Sequence, residues 1–95
     1  MFIKQFTSLF LLSLLILTAG TVQAQNTSEF QVITHDDTLR SYRLYVPENG
    51  ADRLLMVLHP FASNGRTMEV ITGFNDFADE YGFAVVYPNS LGYYW

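Results

Sequence analysis

Two short stretches of the chain, residues 54–58 and 83–87, consist of apolar side chains without interruption. Because neither stretch alternates with polar residues, the pattern predicts strands buried on both faces, as in a parallel sheet with helices on either side. Apolar residues at helical spacing lie between the two stretches, namely Phe74, Phe77, Ala78 and Tyr81. The order of strand, helix and strand predicts a βαβ unit with two parallel strands.

Glycines and polar residues mark the limits of the other predicted elements. Gly73 is expected to divide the helical region into two pieces, and Gly82 is placed to end the second piece in a left-handed conformation. Residues 30–34 and 39–46 are strand-like runs joined by the polar residues 35–38, which predicts a β-hairpin. The predicted fold class is therefore α/β, with a β-hairpin followed by a βαβ unit.

The first residues have the three parts of an export signal. Lys4 gives the start a positive charge, residues 6–17 are almost entirely apolar, and residues 22–24 place small side chains where a signal peptidase requires them. A transmembrane anchor is the alternative, but spanning a bilayer takes about 20 apolar residues. We therefore expect a signal peptide over residues 1–24. The mature chain, residues 25–95, is expected to be secreted (extracellular or periplasmic) and free of the membrane after cleavage.

The balance of charge argues against two kinds of anionic partner. The chain has five Lys and Arg residues against nine Asp and Glu residues, for a formal net charge of −4. Without Lys4, which belongs to the signal, the remainder carries 4 − 9 = −5. No stripe of basic side chains is present to bind phosphates, so neither nucleic acid nor an anionic membrane surface is an expected partner.

The absence of cysteine limits both chemistry and stability. It excludes disulfides, a cysteine nucleophile and a thiolate zinc site. No His-Glu-x-x-His or EF-hand spacing occurs either, so the sequence predicts no metal ion and no cofactor. After removal of residues 1–24, 95 − 24 = 71 residues remain. A core of this size without disulfides or a structural metal rarely supplies more than about 3–5 kcal/mol of stability. We therefore expect an incomplete domain, the N-terminal portion of a larger α/β domain.

Serine and histidine side chains are the candidates for nucleophilic chemistry. The Gly-x-Ser-x-Gly turn of serine hydrolases is absent. Ser90 follows a predicted strand, but Pro88 and Gly92 flank it where that turn needs two glycines, so we interpret Ser90 as a loop residue. His35 lies in a polar turn and is interpreted as solvated. His59 ends the first apolar strand, at the edge where α/β sheets carry their active sites, and is expected to orient the loop after it.

Four segments occur in an order and spacing that resemble one known enzyme group. They are YRLYVP at residues 42–47, LLMVLH at residues 54–59, NDFAD at residues 75–79 and YGFAVVYP at residues 81–88. Together with the export signal, these segments resemble the N-terminal part of the secreted polyhydroxybutyrate depolymerase and feruloyl esterase group of α/β hydrolases. The resemblance covers residues 38–95, which is almost all of the mature chain.

The resemblance implies a serine esterase with a Ser-His-Asp triad that hydrolyses a polyester or an aromatic acyl ester. In such an enzyme the serine attacks the ester carbonyl, the histidine transfers the proton, and backbone N–H groups stabilise the oxyanion. The nucleophile, the acid and the base are all expected beyond Trp95, so the 95-residue chain alone is predicted to be inactive. The resemblance implies no cofactor.

Only the oxyanion loop of the resembled group falls within this sequence. In that group the strand is followed by His-Gly and then by a residue whose N–H points into the oxyanion hole. Here His59 matches the histidine, Pro60 replaces the glycine, and Phe61 is the matching donor. Because proline has no N–H and a φ fixed at about −65°, the hole is expected to be distorted if that position requires positive φ. Two roles stay open for Tyr93, Tyr94 and Trp95: they form the rim of a site for an aromatic acyl group, or they pack against the rest of the sheet.

Three other functions are compatible with parts of the pattern. A secreted serine peptidase of the same fold differs only in pocket residues beyond Trp95. A small extracellular binding module would use the Phe- and Tyr-rich surface to hold a polymer or a glycan. A flavodoxin-like nucleotide binder ranks last, because no glycine-rich phosphate loop follows a strand.

Overall fold

The computed structural model describes residues 26–95, so the predicted signal peptide at residues 1–24 lies outside the described residues. The strands are β1 (Glu29–His35), β2 (Thr38–Tyr45), β3 (Arg53–Met56) and β4 (Phe83–Pro88), and the helices are α1 (Gly65–Thr72) and α2 (Phe74–Tyr81). The strands form one mixed sheet in the order β1-β2-β4-β3, in which β3 and β4 are parallel and the other pairs are antiparallel. The predicted α/β class, a hairpin followed by a βαβ unit, is confirmed.

A two-residue turn joins β1 to β2. His35 pairs with Thr38, so only Asp36 and Asp37 form the turn, with φ values of 48° and 59°. Aspartate enters this left-handed region more readily than most residues, and a turn with two positive φ values matches the twist of a hairpin. The connection is shorter than the four polar residues of the sequence suggest, because the outer two continue the strand pairing.

The helical region begins at a side-chain cap and is divided by a glycine. Oδ1 of Asn64 accepts a hydrogen bond from the Thr67 N–H at 2.9 Å, which satisfies one free amide in the first turn of α1. Gly73 separates α1 from α2 with a φ of 63°, and Gly82 ends α2 with a φ of 73°. Both glycine predictions are confirmed. Within residues 26–95, neither helix is long and apolar enough to cross a membrane.

The core lies between the two helices and one face of the sheet. Val85 and Tyr87 of β4 and Ala78 of α2 are fully buried there. On the other face, Leu54 and Met56 of β3 remain 61% and 59% exposed. The prediction that this strand is buried on both faces is therefore wrong for the described part of the chain, because α1 and α2 cover a single side.

Candidate functional site

The parallel strands bring two loops to one edge of the sheet. β3 and β4 run side by side in the same direction, so their carboxyl ends meet there. Residues 57–64 connect β3 to α1, and residues 89–95 follow β4. Because this edge carries the binding and catalytic groups of α/β sheets, it is the candidate site. All the site residues predicted from sequence lie in these two loops.

His59 connects the two loops through its ring. Its side chain is buried, and only 3% of the residue is exposed. Nδ1 lies 2.8 Å from the carbonyl oxygen of Pro60, and Nε2 accepts a hydrogen bond from the backbone N–H of Ser90 at 3.2 Å. This pairing requires the neutral tautomer with its proton on Nδ1. Both ring nitrogens are thus engaged in holding the loops, which is an orienting arrangement.

Ser90 lies closer to His59 than its interpretation as a plain loop residue suggests. Its Oγ is 3.0 Å from Nε2 of His59 and donates a hydrogen bond to the carbonyl oxygen of Gly92 at 2.6 Å. A serine nucleophile needs its hydroxyl proton directed at the base, whereas here the proton is directed at a carbonyl. The pair therefore stabilises the two loops. No sequence motif indicates the contact, because 31 positions separate its partners.

The tight turn after β3 contains the predicted oxyanion donor. The Ser63 N–H donates to the carbonyl oxygen of Pro60 at 3.2 Å, and the Ala62 N–H donates to that of Tyr93 at 2.8 Å. The Phe61 N–H has no acceptor within the described part of the chain. Of these three amides, that of Phe61 is therefore the one left to donate to a ligand oxygen.

The proline that replaces glycine does not carry the unusual backbone conformation of this turn. The left-handed position is Ala62, with a φ of 60°, whereas Pro60 keeps the negative φ that its ring imposes. A residue with a Cβ in the left-handed region costs roughly 1–2 kcal/mol. The strain of the turn thus lies immediately after Phe61, at a residue whose N–H is held by the neighbouring loop.

Aromatic side chains surround the same turn. Phe61 and Tyr93 are largely exposed, with ring centroids 6.0 Å apart, and Tyr94 is the most exposed ring of this group. Trp95 differs, because its ring lies 4.6 Å from that of His59 and its indole N–H donates to the carbonyl oxygen of His59 at 2.9 Å. Trp95 therefore supports the loop, whereas the other three rings face solvent.

Asn89 joins the loop after β4 to the start of α1. Its Oδ1 accepts a hydrogen bond from the Gly65 N–H at 2.8 Å, and its Nδ2 donates to Oγ of Ser41 at 3.0 Å. Gly65 approaches β4 so closely that a Cβ atom would lie 2.4 Å from the carbonyl oxygen of Tyr87. Sequence reasoning missed both residues, since their roles depend on contacts between distant parts of the chain.

Behind the edge, the buried carboxylate of Glu69 binds polar groups from three elements and from the segment before β1. Oε2 of Glu69 accepts hydrogen bonds at 2.9 Å from the Ser28 N–H and from Nδ2 of Asn75. Oε1 lies 3.3 Å from Nε of Arg43 and 3.0 Å from Nη1 of Arg66. Burial raises the pKa of Glu69, but the hydrogen bonds from Ser28, Asn75 and Arg66 outweigh burial and leave the pKa below its ordinary value. Glu69 is therefore ionised at neutral pH.

Two tyrosines complete this buried layer. Tyr87 donates its hydroxyl proton to Oδ1 of Asn75 at 2.7 Å, and burial raises the pKa of Tyr87 to about 12. Tyr45 donates to Asp79, and burial together with this hydrogen bond raises the pKa of Tyr45. Among residues 26–95, no buried side-chain polar atom lacks a hydrogen bond, and no three His, Asp or Glu side chains are grouped to hold a metal ion.

Comparison with known proteins identifies the architecture. No protein-family model matches the chain, and a search of curated proteins gives no significant match. A solved structure of fluorophosphonate-binding serine hydrolase F (FphF) of Staphylococcus aureus, with substrate bound, matches with a TM-score of 0.53 and 19% sequence identity. The chain carries part of the α/β-hydrolase fold. The match covers 67% of this chain and 31% of the FphF chain, so the chain spans less than a third of the length of that hydrolase.

Proposed function

We propose that this chain forms the oxyanion side of the active site of a secreted carboxylic ester hydrolase, whose substrate is a polyester or an aromatic acyl ester. The α/β-hydrolase fold and the order of the four resembling segments support the proposal. The observation that carries it is the unpaired Phe61 N–H within the described structure, at the carboxyl end of β3. The nucleophilic serine, the acid and the base would come from sequence beyond Trp95.

The turn around Phe61 suits an oxyanion donor because it is fixed on both sides. His59 holds its start through Ser90, and the Tyr93 carbonyl oxygen holds its end through the Ala62 N–H. A donor that is already in position needs no reorganisation when charge develops on the ester oxygen. The Phe61 N–H would donate to that oxygen in the tetrahedral intermediate.

The exposed rings beside the turn would form the rim of the substrate site. Phe61, Tyr93 and Tyr94 present apolar faces to solvent at the edge where the ester would enter. Such faces suit an aromatic acyl group or the chain of an apolar polyester. Trp95 would contribute mainly by fixing His59, since its N–H is already bonded.

Removal of the single N–H tests the donor role. The protein is the polypeptide encoded by the complete reading frame, and the ester is p-nitrophenyl butyrate. Phe61→Pro deletes the N–H and is expected to lower kcat by about 10²–10³-fold. Phe61→Ala is the matched control, because it removes the ring but keeps the N–H, and it is expected to retain most of kcat while loss of the rim contact raises KM. Circular dichroism establishes that both variants fold.

Each outcome decides one part of the proposal. Equal losses of kcat in the two folded variants would contradict the donor role of Phe61. Absence of ester hydrolysis, or hydrolysis insensitive to a serine-directed fluorophosphonate, would contradict the enzyme class. The 95-residue chain by itself is expected to show no turnover above buffer, because its sequence contains no Gly-x-Ser-x-Gly.

Export is part of the same proposal and rests on the first 24 residues. Cleavage after Ala24 would leave Gln25 as the first residue. Mass spectrometry of the protein recovered outside the cytoplasm is expected to give this N-terminus. An uncleaved chain in the membrane fraction would favour the anchor alternative instead.

A further inference from the structure

A cavity of about 520 Å³ lies beside the candidate oxyanion loop. Its wall combines side chains of β1 and β2, the loop after β3, the start of α1 and the loop after β4. Two of the lining residues touch the loop directly: the Ser63 N–H donates to the carbonyl oxygen of Pro60, and the Ser90 N–H donates to His59. The cavity therefore adjoins the loop that carries Phe61.

The cavity carries a local excess of positive charge. Two lining side chains, Arg43 of β2 and Arg66 of α1, are cationic, and no acidic side chain lines the cavity in the described structure. Glu69 lies behind them and pairs with both guanidinium groups. One carboxylate offsets one guanidinium, so the group of three retains a charge of 2 − 1 = +1. This sign is opposite to the formal net charge of the chain, −4.

Several donors on the wall remain available. Arg43 uses Nε and Nη2 for Ser28, and Arg66 uses Nη1 for Glu69. Nη1 of Arg43 and Nε and Nη2 of Arg66 have no hydrogen-bond partner among residues 26–95. The backbone amides of Gly65 and Thr67, at the start of α1, are not available to a ligand, because both already donate to side chains. The donors are therefore guanidinium N–H groups, with the hydroxyl of Ser63 beside them.

We propose that this cavity binds a carboxylate carried by the substrate, so that the preferred ester is one with a second, ionised carboxyl group. The inference rests on the proposed function and names its substrate class. Guanidinium groups bind carboxylates through paired, charge-assisted hydrogen bonds. A single excess positive charge matches a monoanion better than a phosphate dianion, which favours a carboxylate as the occupant.

Two matched esters test the preference in the polypeptide encoded by the complete reading frame. 4-Acetoxybenzoate carries the carboxylate, and methyl 4-acetoxybenzoate lacks its charge. Arg66→Gln is expected to lower kcat/KM for the charged ester about tenfold, which corresponds to about 1.4 kcal/mol, mainly through KM. Arg66→Gln is expected to leave kcat/KM for methyl 4-acetoxybenzoate, measured on its acetyl ester, nearly unchanged. Arg40→Gln is the matched control, because it removes an equal charge from an exposed position that does not line this cavity.

A binding measurement separates this inference from the proposed function. Sodium benzoate and benzamide are titrated into the same protein and followed by amide NMR shifts. We expect benzoate, and not benzamide, to shift the resonances of Ser63, Thr67 and Ser90, and we expect Arg66→Gln to abolish the effect. Binding of benzoate without hydrolysis of any ester would overturn the esterase and keep the carboxylate site. Equal response to the two probes, no response, or tighter binding of inorganic phosphate than of benzoate would overturn the carboxylate site.

Discussion

One face of the sheet is covered by the two helices and the other is open, although β3 and β4 place apolar side chains on both faces. On the helix-covered face, Val85 and Tyr87 are completely buried. On the open face, Leu54 and Met56 of the neighbouring strand are more than half exposed. An apolar run thus identifies a strand that is suited to burial, but the neighbours that bury it are set by the rest of the fold.

On the covered face, the buried polar groups are hydrogen-bonded and the apolar side chains are closely packed. Glu69, Asn75 and Tyr87 satisfy one another in one network, and Ser28 brings the segment before β1 into it. On the open face, by contrast, the apolar side chains of Leu54 and Met56 remain in contact with water, which agrees with a proposal that further chain covers this face.

Among the changes on the covered face, removal of the Glu69 carboxylate is expected to lower the free energy of unfolding most. Glu69→Ala leaves the Ser28 N–H and the Asn75 side-chain amide without their acceptor, and it leaves two guanidinium groups without their counter-charge. We expect the free energy of unfolding to fall by about 3–5 kcal/mol, as for a buried ion pair that loses one partner. Urea denaturation followed by circular dichroism measures the loss.

The matched control for this change is Glu80→Ala. Glu80 lies on the exposed side of α2, so its removal changes the net charge equally but leaves no buried group unpaired. We expect a change within about 0.5 kcal/mol. Similar losses in the two variants would mean that overall charge, and not the buried network, determines the stability of this face.

A pair of truncations compares the two faces directly. Val85→Ala removes two buried carbon atoms and leaves a cavity, so we expect a loss of about 2–3 kcal/mol. Met56→Ala removes a larger side chain from the open face, where water already reaches it, and we expect a loss of about 0.5 kcal/mol or less. Thermal or urea unfolding of both variants makes the comparison. A loss for Met56→Ala as large as that for Val85→Ala would mean that the open face is covered in solution.

Local sequence signals were sufficient for the order of the elements and for the two glycine boundaries of the helical region. Gly73 and Gly82 divide and end the helical region as predicted, because a left-handed residue at a helix end is a local requirement that glycine meets. The parallel pairing of β3 and β4 also follows from a strand–helix–strand order. These features depend on residues that are near one another in the chain, where spacing carries the information.

The site was less predictable because its contacts join distant residues. His59 is placed at the correct edge by its position after a strand, but its contacts with Ser90 and Trp95 span 31 and 36 positions. The role of Asn89 and the cavity at Arg66 likewise depend on the packing of α1 against β4. The assignment of Phe61 as an oxyanion donor comes from the resemblance and stays a prediction.

The smallest expected effect isolates one hydrogen bond of the covered face. Tyr87→Phe removes the hydroxyl that donates to Asn75, and we expect a loss of about 1 kcal/mol at neutral pH. The exposed control Tyr81→Phe is expected to change the free energy of unfolding by a few tenths of a kcal/mol at most.

The same pair of variants also tests how the free energy of unfolding depends on alkaline pH. Burial raises the pKa of Tyr87 to about 12, so the folded protein keeps this proton while an unfolded tyrosine ionises at about pH 10. The contribution is fully present below about pH 10 and is lost as the pH rises through the folded value. Urea denaturation at pH 9 and pH 11 is therefore expected to show a smaller decline in Tyr87→Phe than in the unchanged protein or in Tyr81→Phe. Equal declines in all three proteins would show that the Tyr87 hydroxyl is accessible to water, and the contrast between the two faces would then not extend to this residue.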